Sequence, residues 1–170
     1  METVLELELE EDLELVETEH ELSDYERERG KPMPSLNHSI AQSNLIGCLL
    51  RFKKQYRTAS ELSLNLPTLR ATPDICLYPQ RGADFRHDQT MVSEPPVVAI
   101  EIVSHSQSTS TMLEKFDQYF ANGVKSCWLV QPSLEAITVV HPGAKPRTFD
   151  AGTLEDTVAG ISIQVEEVFE

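Results

Sequence analysis

The stretch Val97-Val98-Ala99-Ile100-Glu101-Ile102-Val103-Ser104 is an almost continuous apolar run broken by one charge, Glu101. A run of this length, rich in β-branched residues, reads as a strand buried on both faces. The serines and threonines of 104–110 then offer caps for a helix over 111–121, which Asn122-Gly123 terminates. A further strand follows over 125–130. A helix crossing between two strands implies that they run parallel. Upstream, 58–66 alternates, with Leu62, Leu64 and Leu66 on one face and Glu61, Ser63 and Asn65 on the other. Over 72–78, Ile75 and Leu77 point one way and Asp74 and Cys76 the other, and these earlier strands can pair antiparallel. Between this strand and the Glu101 strand, 79–94 forms a long polar connection.

The remaining elements fit around that centre. Gly30-Lys31-Pro32-Met33-Pro34 breaks regular structure, and Asn37 then offers an N-cap for a helix over 38–56 with an apolar face of Ile40, Leu45, Ile46, Leu49 and Phe52. A strand over 136–140 forms a hairpin with 125–130 through Gln131-Pro132-Ser133, and weaker strands fall at 147–149 and 161–165. The expected architecture is α/β, a mixed central sheet flanked by helices.

Composition bounds the rest. With 40% hydrophobic and 25% charged residues among 170, the chain is neither fibrous nor wholly disordered, and no apolar run approaches the length of a membrane span. Residues 1–30 hold thirteen acids against two arginines, −11 of the chain's formal charge of −14. This acidic segment, part of the domain or appended to it, precedes a single domain over 31–170. Its VLELELEEDLELVE suits strand or helix, and it is either a solvated edge, a polyanionic shield or a partner-binding arm. It resembles neither a secretory signal nor a transit peptide, so a cytoplasmic protein is expected. Cys48, Cys76 and Cys127 are widely separated, which suggests buried thiols rather than a zinc site or disulfides.

Asp74 and Glu101 are the candidate chemistry, since carboxylates within apolar strands need a cation, hydrogen-bond donors or water. On neighbouring strands they can share Mg²⁺ or Mn²⁺, and such an ion activates water and neutralises phosphodiester charge. The alternative is that either acid pairs with an arginine or caps a loop. Position 103 shares the face of Glu101, but it holds valine where a metal-dependent nuclease strand commonly carries lysine. Lys115, at the border of the stripe Met112, Phe116, Tyr119 and Phe120, is either its replacement or a solvated helix lysine. Glu61 is a possible third acid or an exposed strand glutamate. His38 and Gln42, four apart, line the same cleft or are ordinary helix residues. The basic run Arg51–Arg57 contacts phosphates or complements a helix dipole, the latter being favoured. Trp128 reads as core, and His105 and His141 have no metal-ligand spacing. No phosphate-cradling glycine loop or Gly-x-Ser-x-Gly turn is present.

Several short pieces combine into one pattern: Arg29-Gly30-Lys31-Pro32-Met33-Pro34-Ser35 with Asn37-His38-Ser39, Ser60-Glu61-Leu62, Pro73-Asp74-Ile75, Glu101-Ile102-Val103-Ser104, Lys115 with Tyr119, and Gly123-Val124-Lys125-Ser126-Cys127-Trp128-Leu129-Val130. Across about residues 25–140 their order and spacing resemble the Uma-type restriction endonuclease family, a bacterial group abundant in cyanobacteria and assigned to the Pro-Asp…Glu-x-Lys, or PD-(D/E)XK, nuclease superfamily. The acidic start falls mostly outside this pattern. The resemblance implies a restriction-endonuclease-like αβββαβ core, with Asp74, Glu101 and the Ile102 carbonyl as Mg²⁺ ligands and Lys115 as the relocated lysine. It further implies a homodimer acting on DNA as a metal-dependent endonuclease. Val103 and the net charge motivate the alternative, a nuclease-like binding or interaction protein without catalysis.

Overall fold

The computed structural model describes residues 22–104 and 107–170. The strand-or-helix alternative within 4–17 and the histidine at 105 therefore lie outside the described residues. The chain divides into two units, Met1–Lys31 and Pro32–Glu170. In the first, α1 (Asp24–Arg29) starts on a capping box: Ser23 Oγ accepts from the Glu26 N–H, and the Glu26 carboxylate accepts from the Ser23 N–H. Gly30, at φ 67°, ends it in the left-handed conformation that glycine adopts without a Cβ penalty.

The second unit begins with α2 (Leu36–Leu49), capped by Ser35, whose hydroxyl accepts from the His38 N–H. The cap is thus Ser35 rather than Asn37. A 3-10 turn over Leu50–Phe52 closes the helix, and the chain is already extended by Tyr56, so the helix is shorter than 38–56. Its buried face carries His38, Ala41, Leu45, Cys48 and Leu49, spaced three, four or one apart on one stripe, while the expected Ile40 is 42% exposed.

Strand β1 (Tyr56–Ser60) stops where Glu61 takes a φ of 54°, so the alternating leucines do not belong to one strand. After this break come β2 (Leu64–Asn65) and β3 (Arg70–Ala71), a short antiparallel pair. Next are β4 (Ile75–Pro79), β5 (Val98–Ile102), α3 (Thr109–Ala121, capped by Ser108) and β6 (Ser126–Gln131). A 3-10 turn over Pro132–Leu134 leads to β7 (Ala136–Val140) and β8 (Arg147–Phe149). The sequence reading missed β9 (Thr153–Asp156), which pairs antiparallel with β10 (Ile161–Gln164), and the closing α4 (Glu166–Phe169).

The central sheet has the order β1-β4-β5-β6-β7-β8. Among the described residues its one parallel pair is β5–β6, joined by α3, as the crossover reading requires; β4–β5 is antiparallel. Alternation along β5 divides the core into two layers. Val98, Ile100 and Ile102 pack with α2 and with Leu154, Ile161 and Ile163 of the β9–β10 pair. Ala99 faces the other way and packs with Met112, Phe116 and Tyr119 of α3. Burying one aliphatic side chain such as Ile100 contributes about 1.5–3 kcal/mol, so both layers hold β5 firmly at the centre. Glu101 shares the face of Ala99 and therefore projects into the α3 layer. Trp128 and all three cysteines are buried, and burial pushes the Cys76 thiol up to about 12.

Candidate active site

The β4–β5 ladder ends at Ile75–Ile100, yet β5 continues to Ile102. Extending the register by one residue sets Asp74 opposite Glu101 at the end of the ladder. There the Asp74 side chain takes the place of a backbone acceptor, because its Oδ2 accepts from the Ile102 N–H at 2.7 Å. Asp74 is 1% exposed, and its Oδ1 lies 3.2 Å from His38 Nε2. The backbone contact that Ile102 makes with this carboxylate is thus through its N–H.

Ser35 fixes the first turn of α2, which aims His38 at the sheet, and Gln42 follows one turn later on the same face. Gln42 Nε2 donates to the Asp74 carbonyl at 2.9 Å and to Glu61 Oε1 at 3.0 Å. The Glu61 N–H also donates to the Asp74 carbonyl. The left-handed backbone at Glu61, unfavourable for a residue with a Cβ, thus lies beside the acidic pair and brings a third carboxylate to the same end of the sheet. His38, Gln42, Glu61 and Asp74 form one connected cluster. His38 Nδ1 is buried without a hydrogen-bond partner among the described residues.

Glu101 is reached from the opposite layer. Its Oε1 accepts from Tyr119 Oη at 2.7 Å and lies 2.7 Å from Lys115 Nζ. Lys115 and Tyr119 are four apart on α3, and the ammonium sits 5.8 Å from the Tyr119 ring centre. The lysine side chain is one-quarter exposed, consistent with an apolar stem under the helix border and a charge at the sheet end. Val103 packs with the α3 layer. Burial drives the Glu101 carboxyl above its ordinary range; Lys115 opposes the shift and Asp74 adds to it. Burial, reinforced by Glu101, also holds the Tyr119 phenol well above its usual value, so it remains a donor.

Two acids therefore meet where the ladder ends, one oriented from α2 and the other from α3. Among the described residues, no group of three or more His, Cys, Asp or Glu side chains is arranged to hold a metal ion. Mg²⁺ needs fewer protein ligands, since one or two carboxylates completed by waters satisfy it. The donors around Glu101 converge on Oε1, and Oε2 accepts no hydrogen bond among the described residues, which fits a carboxylate with one oxygen left for a cation.

The other candidates lie elsewhere. Arg51 donates to the Cys48 carbonyl at the end of α2 and pairs with Glu167, while His141 belongs to a separate cluster around Asp156. The sequence reading assigned Tyr119 to the buried stripe; its i, i+4 relation to Lys115 is the signal that it could also reach Glu101. Nothing in the sequence marked Asp156. Among the described residues, no helix is long and apolar enough to cross a membrane.

A crystal structure of a "putative nuclease belonging to DUF820" from Anabaena variabilis ATCC 29413 is similar over 82% of this chain and 83% of that one, with a TM-score of 0.70 and 20% sequence identity. At that identity the likeness establishes the fold. No curated protein matches the chain. The family model Uma2, described as "Putative restriction endonuclease", matches residues 5–166, so most of the acidic segment lies inside the family pattern rather than outside it. With nearly the whole sequence matched, the chain belongs to the Uma2 family of putative restriction endonucleases.

Proposed function

We propose that the protein is a divalent-metal-dependent endonuclease that hydrolyses DNA phosphodiester bonds, with Asp74 and Glu101 as the metal-holding carboxylates. The observation that carries this reading is the convergence of Asp74, Glu101 and Lys115 at the end of the β4–β5 ladder, with Lys115 Nζ 2.7 Å from Glu101 Oε1. Mg²⁺ or Mn²⁺, when bound, supplies charge neutralisation on the phosphodiester and lowers the pKa of a coordinated water. The Ile102 carbonyl is the backbone ligand in this reading. Ile102 N–H and His38 orient the Asp74 carboxylate, and Tyr119 holds Glu101 so that Oε2 stays available. Lys115 has further N–H protons beyond the one directed at Glu101, and these orient the attacking water or stabilise phosphate charge. Gln42 fixes Glu61 beside Asp74 as an accessory acid.

The absent lysine at 103 motivated a non-catalytic alternative; the position of Lys115 supports the catalytic one instead. The acting form is a cytoplasmic homodimer, since a two-fold pair of sites matches the two antiparallel strands of a duplex. Calorimetric titration with Mg²⁺ and Mn²⁺, followed by cleavage of labelled single- and double-stranded DNA, tests the reading. Metal binding and metal-dependent cleavage, both lost in Asp74→Asn, are expected. Turnover that persists in EDTA, or that Asp74→Asn leaves unchanged, would overturn the mechanism, and sedimentation of a strict monomer would remove the dimer.

A further inference from the structure

The basic turn after α2 borders a groove. Lys53, Lys54, Arg57, Tyr56, Thr58 and Gln80 line this groove of about 320 Å³ beside β1, which among the described residues is an edge strand of the central sheet. Arg51 and Arg81 nearby are neutralised by Glu167 and Glu94. Among the described residues Lys53 and Lys54 have no such partner, and the Arg57 guanidinium donates only to the Arg81 carbonyl. All three cations are exposed. In a chain with a formal charge of −14, three cations around one groove without a paired carboxylate among the described residues are a local reversal of sign.

Chain direction ties this groove to the candidate active site. Strand β1 runs from Tyr56 beside the groove to Ser60, next to Glu61 and the acidic pair. The four steps from Arg57 to Glu61 span about 13 Å at the rise of a strand. Along duplex DNA that distance corresponds to about four base-pair steps at the axial rise per strand.

We infer that the Lys53–Lys54–Arg57 groove grips the phosphate backbone of double-stranded DNA about four base pairs from the bond cleaved. This rests on the nuclease reading and adds a second contact to it. The grip is electrostatic and independent of sequence and of metal, so it contributes to affinity and to salt dependence.

The test is fluorescence-anisotropy binding of a labelled duplex in EDTA, across salt concentrations, to the full chain and to Lys53→Gln/Lys54→Gln. Lys145→Gln, between β7 and β8, is the control. Losing two phosphate contacts should make the log–log salt slope shallower by about 2. Between 50 and 200 mM salt, the wild-type affinity should then fall roughly tenfold more than that of the double variant. Lys145→Gln should follow the wild type. An unchanged slope in the double variant overturns the groove, as does failure of the wild type to bind in EDTA. Cleavage in Mg²⁺ is measured separately: if it persists while the slope is unchanged, only the groove falls, and if it is absent, the nuclease reading falls with it.

Discussion

Replacing Asp156 should unlatch the β9–β10 pair from the sheet, and the size of the effect follows from its partners. This carboxylate is 1% exposed and accepts from five donors: Ser126 Oγ at 2.6 Å, Trp128 Nε1 at 2.8 Å, and His141 Nε2 and the N–H groups of Val158 and Ala159 at 3.0 Å each. Ser126 and Trp128 are fully buried and Ala159 nearly so; Asp156→Ala leaves these three donors without acceptor or water, a loss of roughly 3–6 kcal/mol. Asp156→Asn keeps one oxygen but turns an NH₂ group toward donors in either orientation, and should cost about 2–4 kcal/mol. Burial pushes the Asp156 carboxyl up, but the hydrogen bonds from Ser126, Ala159, Trp128 and His141 outweigh it and hold the group below its ordinary 3.8. A depressed folded value means that this stabilisation is complete above the unfolded pKa and is lost as pH falls below 3.8 through the folded one. The difference between wild type and Asp156→Asn should therefore shrink on acidification in that window. Trp128 is the single tryptophan and touches Asp156 directly, so its fluorescence in urea titrations reads both effects. Equal urea midpoints for Asp156→Asn and wild type at neutral pH, at an equal m-value, would refute the latch.

Lys115→Met should lower kcat for cleavage by roughly 100- to 1,000-fold with the far-ultraviolet circular dichroism unchanged, the magnitude typical of losing one positioned charge donor; a wild-type rate would remove Lys115 from the chemistry. Tyr119→Phe removes one hydrogen bond to a buried carboxylate and should cost about 1.5–3 kcal/mol in urea titrations. Gly123 sits at φ 100°, and a Cβ there would meet Pro95 Cγ at 3.3 Å; Gly123→Ala should destabilise by about 1–3 kcal/mol in the same assay.

What was legible in the sequence was whatever periodicity records. The buried β5, its parallel partner β6 and the helix between them follow from a short apolar run, a cap and a terminating Asn-Gly. The errors fall where one residue redirects the chain. Glu61 looks like an ordinary outward strand residue, yet its left-handed backbone ends β1, because alternation records face and not φ. Ser35 and Asn37 are both competent caps, and packing of His38 and Ala41 on the sheet decides between them. β9 and α4 are short and draw their stability from tertiary packing, and Asp156 has partners 15 to 30 residues away for all but its two backbone donors.

The position of the lysine follows from the layers. An acid on β5 that faces α3 lies under a helix whose border residue can reach it, so the cation need not come from the strand. Val103 lies in that layer and packs with α3. The amine then arrives from Lys115, one turn before Tyr119, and both donors converge on a single oxygen. A strand lysine at 103 would bring its charge along β5, leaving Tyr119 as the helix's own donor to Glu101. Here one helical turn supplies both groups, which couples the orientation of Glu101 to the docking of α3. Substitutions that loosen α3, such as Gly123→Ala at its end, should for this reason reduce cleavage as well as stability, although Gly123 lies far along the helix from Lys115.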